Sequence, residues 1–169
     1  TSARCATSFI TFEFKFDPKE YPTGYPISLE LQPGAAFAVS NDKSQLIFNF
    51  TDPQTAAVTS FGTCTFTNVK IYEGVYLSAN FVVDESNYAQ KFILRNLNID
   101  TTTIRVEVQE DPNEDLNTLY TRAENLVRLN DDTKIYWITE TEEGYYELQF
   151  GDGHFGQKLQ NGARIFVNY

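Results

Sequence analysis

Residues 150–162 read FGDGHFGQKLQNG, with Gly151, Gly153 and Gly156 at the G-x-G-x-x-G spacing that cradles the pyrophosphate of a dinucleotide. That chemistry needs more than glycines. A helix must open on the phosphates inside a βαβ unit, and an acidic residue about 20 positions later must take the ribose. Here Asn161-Gly162 signals a turn, ARIFVNY alternates as a strand, and the sequence ends at Tyr169. The stretch therefore reads as a connection between antiparallel strands. In it Gly151, Gly153, Gly156 and Gly162 supply positive φ or close backbone approach, and Asp152 caps local amides.

Other residue types that could carry chemistry fall short in the same way. His154 is the only histidine and has no nucleophile or carboxylate placed around it by a motif. Asp111, Asn113 and Asp115 occupy positions one, three and five of a calcium loop, but Leu116 stands where glycine is needed and Arg122 where a bidentate Glu should be. Asp84-Glu85 and Glu142-Glu143 are adjacent carboxylates that a strand would point to opposite faces, so they read as solvated charge. Cys5 and Cys64 lack neighbouring ligands and read as thiols. No cofactor, metal or small-molecule substrate is expected. Trp137, Tyr145 and Tyr146 remain as candidate surface aromatics, suited to a protein interface or a sugar-stacking platform.

The elements that must position these residues are strands. In FITFEFKF, Ile10, Phe12, Phe14 and Phe16 share one face. Ile27, Leu29 and Leu31 do so in the next run, as do Leu46, Phe48 and Phe50 after it. Between Cys64 and Tyr72 the apolar parity switches from Cys64 and Phe66 to Val69 and Ile71, which a period of two cannot accommodate without a bulge near Asn68. After Glu73-Gly74, Val75, Leu77, Ala79, Phe81 and Val83 alternate, predicting a hairpin with the preceding run. KFIL, IRVEV, KIYWI, GYYELQF and ARIFVNY read as further strands. Leu116, Leu119, Tyr120, Ala123 and Val127 fall at helical intervals and predict one short helix.

These runs predict a mainly β fold of antiparallel sheets, sandwich-like or divided into two small β subdomains, with that one helix. The acidic run EDPNED suggests a division into a β-rich domain over 1–110 and a smaller one over 111–169, with the helix and a C-terminal glycine-rich hairpin; the two can also pack as one unit. Across 169 residues, 13 Lys and Arg face 23 Asp and Glu, a net charge of −10 that repels phosphate backbones and anionic lipid. Nucleic acid and membrane are not expected partners. No apolar run approaches the length of a transmembrane helix and the opening residues lack signal-peptide features, so a soluble chain is expected.

The C-terminal stretch resembles the baseplate J-like family, which includes the large wedge subunit of contractile phage tail baseplates. The match rests on Phe150 to Gly156, Gly162, Ile165, Val167 and Tyr169, in the pattern F-G-D-G-x-x-G followed by a glycine and I-x-V-x-Y. Upstream, LQPGAAFAV, IYEG and FILRNLNIDTTTIRVEV are similar to family turns and strands, extending the resemblance over Ile27 to Tyr169; Leu159 departs from the proline of many relatives. The resemblance implies a non-enzymatic structural subunit of the virion tail baseplate, assembled in the host cytoplasm. It also implies association with other wedge subunits and with copies of itself, and rearrangement on contraction. Lack of Met and the family's further extent make an internal fragment the expectation. The alternatives are a carbohydrate- or receptor-binding β-sandwich using Trp137 and the tyrosines, and a hydrolase with converging carboxylates.

Overall fold

A computed structural model describes residues 2–34, 36–41, 44–123 and 130–169, with the backbone alone for 36, 37, 39–41, 44 and 45. The chain divides into two compact units, Cys5–Tyr76 and Leu77–Tyr169, the latter joined by Thr1–Arg4. The acidic run at Asp111, where composition suggested a boundary, instead links two adjacent, hydrogen-bonded strands of one sheet.

The first unit holds β1 (Thr7–Lys15), β2 (Ser28–Leu31), β3 (Ala36–Asn41), β4 (Ser44–Asn49), β5 (Gln54–Ala57) and β6 (Thr63–Glu73). Four of these form a sheet in the order β1-β6-β4-β3, and β2 pairs with β5. The parity switch in β6 is a bulge. Ile10 pairs with Val69 and Phe12 with Phe66, so Thr67 and Asn68 both face Thr11. Asn68 takes φ 56° and its amide donates to Thr11 Oγ1 at 3.1 Å. The extra residue lets Cys64, Phe66, Val69 and Ile71 all be buried with Phe16, Phe50 and Ala56. Three residues of the expected apolar faces are exposed in this unit: Ile27, at 90 %, which precedes the β2 ladder, Phe14 and Leu46.

The second unit is one seven-stranded sheet made of β7 (Ser78–Val82), β8 (Phe92–Leu94), β9 (Arg105–Gln109), β10 (Asn117–Arg122), β11 (Ile135–Glu140), β12 (Tyr146–Phe150) and β13 (Arg164–Asn168). Its order is β7-β13-β9-β10-β11-β12-β8, antiparallel throughout except for the β10–β11 pair. The edge strands meet, since the rings of Phe81 on β7 and Phe92 on β8 lie edge to face at 5.6 Å, so the sheet curls into a nearly closed barrel. Inside, alternation does what the sequence asks: Val106, Val108, Leu148, Ile165 and Val167 are fully buried, while Arg105 and Glu107 pair at 3.0 Å on the other face of β9.

The mainly β, largely antiparallel class is therefore the observed one, with three local corrections. The expected helix over Leu116–Val127 is a strand over Asn117–Arg122; its remainder, 124–127, lies outside the described residues. Pairing with β9 overrides the helical spacing, turning Tyr120 inward against Phe150 and leaving Leu116 and Leu119 exposed. The expected hairpin across Gly74 does not form, because β6 pairs with β1 and β4 whereas β7 pairs with β13 from the mutual Leu77–Tyr169 hydrogen bonds onward. The C-terminal glycine-rich segment is likewise no hairpin, since β9, β10 and β11 lie between β12 and β13.

Candidate functional site

The segment 151–163 runs from the end of β12 to the start of β13 and caps the sheet there through the contacts below. Gly151 leaves β12 and forms a parallel bridge with Lys158, bringing the outgoing and returning strands of the loop together. At Gly151 a β-carbon would sit 2.2 Å from the backbone carbon and oxygen of Gly156, so only glycine fits. Gly156 has φ +82° and would meet Ile135 at 2.7 Å if it carried a side chain. Asp152 Oδ1 accepts the amides of His154 and Phe155, each at 2.8 Å. The Phe155 amide first, and the His154 amide next, hold its carboxyl below the usual carboxylate range.

From this turn the chain is tied to the approach to β11, with the Gly156 amide donating to Asn130 O and the Gln157 amide to Thr133 O. Leu159 then enters the core at 8 % exposure, and the Gly162 amide reaches Val83 O beyond β7 at 2.8 Å. Residues 157–163 are non-helical and lead into β13, so no helix N-terminus faces the glycines and the dinucleotide geometry is not made.

One residue that sequence reasoning passed over anchors this cap. Glu110, just past β9, receives Lys134 Nζ at 2.7 Å and Tyr120 OH at 3.3 Å on one oxygen, and Gln157 Nε2 at 3.0 Å on the other. Burial pushes its carboxyl up, but the hydrogen bonds from Lys134 and Gln157, the Lys134 charge and the Tyr120 hydroxyl outweigh burial, and the net shift is downward. Burial and then the Glu110 charge push Tyr120 upward, so it stays a neutral donor.

The three candidate aromatics separate. Tyr146 is a correction: it is 6 % exposed and belongs to the core with Tyr136, whose hydroxyl donates to Ile104 O at 3.2 Å. Trp137 is half-buried on the outer face of β11 opposite Gln149, and half-buried Tyr145 precedes the same face of β12. His154 is an exposed residue of the cap. Cys5 and Cys64 are not in a disulfide. Of the acidic neighbours, Asp84 bonds Ser86 and Glu85 pairs with Lys158 at 3.1 Å, while Glu142 and Glu143 are exposed. Among the described residues no group of three His, Cys, Asp or Glu is placed to hold a metal ion.

Residues 80–169 match the family model described as bacteriophage baseplate wedge protein gp6, third domain. The chain belongs to this family. The wedge-family match begins within β7 and ends with the last residue of the second unit, so it coincides with the curled sheet and includes the whole glycine cap. A search of curated proteins finds no match. Membership in a baseplate wedge family agrees with the resemblance carried by Phe150–Gly156 and the I-x-V-x-Y strand, and makes the chain kin to structural proteins of the phage tail baseplate.

Proposed function

We propose that this chain is an assembly domain of a contractile-tail baseplate wedge subunit of the baseplate J-like group. It works without catalysis, in the virion, after assembly in the host cytoplasm. The observation that carries this reading is the coincidence of the family match with one complete structural unit, the β7–β13 sheet with its cap. The barrel supplies a rigid body, and its outer face and loops supply contacts to other wedge subunits and to further copies of the chain. Trp137 and Tyr145 are interface candidates because each is a half-buried aromatic on the outer face of the sheet. On contraction such bodies move relative to their neighbours while keeping their internal packing, as close-packed cores do.

Sedimentation velocity of the chain alone, and mixed with each neighbouring tail protein, tests the reading. Mixed boundaries faster than either component are expected. Components that sediment independently at all concentrations would remove it.

The carbohydrate-binding alternative has one foothold, the placement of Trp137 and Tyr145 toward the same outer face. Trp137 is the single tryptophan, so its fluorescence reports directly. Quenching by host oligosaccharides would favour that second reading.

A further inference from the structure

Between β7 and β8 the chain makes a loop, Val83–Lys91, in which the polar side chains are turned onto the loop's own backbone. Asp84 Oδ1 accepts the Ser86 amide at 3.0 Å and the Ser86 hydroxyl at 2.6 Å. Asn87 Oδ1 accepts the Ala89 amide at 3.2 Å. Gln90 reaches back across the loop, its Oε1 accepting the Asp84 amide at 2.9 Å and its Nε2 donating to Val82 O at 2.7 Å. Two successive turns close through Asn87 N to Asp84 O and Gln90 N to Asn87 O. The cap holds the loop from outside, through Asn161 Oδ1 on the Glu85 amide at 3.0 Å and Lys158 on the Glu85 carboxylate. At the crest of this braced structure stands Tyr88, 100 % exposed.

We infer that Tyr88 is an anchor that inserts into an apolar, basic-rimmed socket on a protein partner. Two observations lead there. A large aromatic left wholly in water gains nothing for the fold, whereas on a surface it can bury a large area while ordering only two side-chain torsions. The loop beneath it is already ordered, so binding does not have to fix its backbone, and the ring is presented as preorganised anchors are.

The same hydrogen bonds also choose the class of partner. Sugar hydroxyls need polar side chains that can turn to meet them beside the stacking ring, and here Asp84, Ser86, Asn87 and Gln90 are each held in place by a hydrogen bond within the loop. The charge points to a basic rim. Asp84 is ionised, its carboxyl held down first by the Ser86 hydroxyl and then by the Ser86 amide, and the chain as a whole carries −10. A second copy would bring the same sign.

This inference rests on the baseplate reading for the identity of the partner, which is another wedge subunit. The test uses the whole chain with each of the other wedge subunits of the same phage, purified singly, and measures dissociation constants by interferometry or calorimetry. Tyr88→Ala should weaken binding to one of them by roughly 30-fold or more. Tyr88→Phe should keep most of it, and Asn87→Gly, which frees the loop but keeps the ring, should fall between. Unchanged thermal unfolding of Tyr88→Ala shows that the fold is intact. If the wild type binds a wedge subunit and Tyr88→Ala binds it within threefold, the anchor is refuted and the baseplate reading stands. If no wedge subunit binds the wild type, both fall. Loss in Tyr88→Ala of binding to host oligosaccharides or to a second copy, in place of a wedge subunit, overturns the protein-socket assignment.

Discussion

A single methyl group placed at residue 151 tests whether the barrel cap is as tight as its geometry says. Gly151→Ala puts a β-carbon against immovable backbone of Gly156 and should cost about 3 kcal/mol or more in denaturant unfolding. Gly153→Ala is the control. Unlike Gly151 it takes a positive φ, +89°, but the nearest atom is Lys158 Cβ at 3.7 Å, so only the conformational cost of about 1 kcal/mol applies. Equal effects at the two positions would mean that packing against Gly156 is not what requires glycine. Glu110 gives a second residue-scale test. Its folded carboxyl titrates below its unfolded one, so it contributes stability at neutral pH that is lost as pH falls through the folded value. Glu110→Gln should therefore lower stability near pH 7 and flatten the acid side of the stability curve, read from unfolding midpoints between pH 7 and 3. The glycines were legible as spacing. Glu110 was not, because its partners Tyr120, Lys134 and Gln157 come from three distant segments and a linear acidic run gives no sign of them.

At the scale of elements, alternation recovered most strands, though not β3, β5 or β10, and even the β6 bulge, because a half-buried strand writes its faces directly into its residues. It failed where pairing was decided elsewhere. The helical spacing around Leu119 lost to the β9 ladder, and the turn at Gly74 gave no warning that its two flanks join different sheets. The bulge can be probed at Asn68, an exposed residue in the left-handed region. Asn68→Val should destabilise by about 1–2 kcal/mol while Asn68→Gly is tolerated, as judged by thermal midpoints. The cap can be probed at Leu159, whose side chain enters the core of the barrel ahead of Ala163. Leu159→Ala should cost about 2–5 kcal/mol and speed hydrogen exchange of the Gly156 and Gln157 amides before those of β9 and β13. Exchange that rises uniformly would show that the cap and the sheet open as one.

For the whole molecule, the division between Tyr76 and Leu77 makes a physical prediction: 77–169 should unfold cooperatively by itself, because every residue of its core cluster lies within that span. A broad, non-cooperative melt of that fragment would show that its core needs the remainder of the chain. Within this unit, β13 is laid between β7 and β9 although it is the last strand in the sequence. A ribosome therefore delivers six strands of the sheet before the one that joins β7 to the rest. Until residue 168 emerges, the nascent chain holds β7 and β9 with an unfilled slot between them, and the sheet is completed in one late, long-range step.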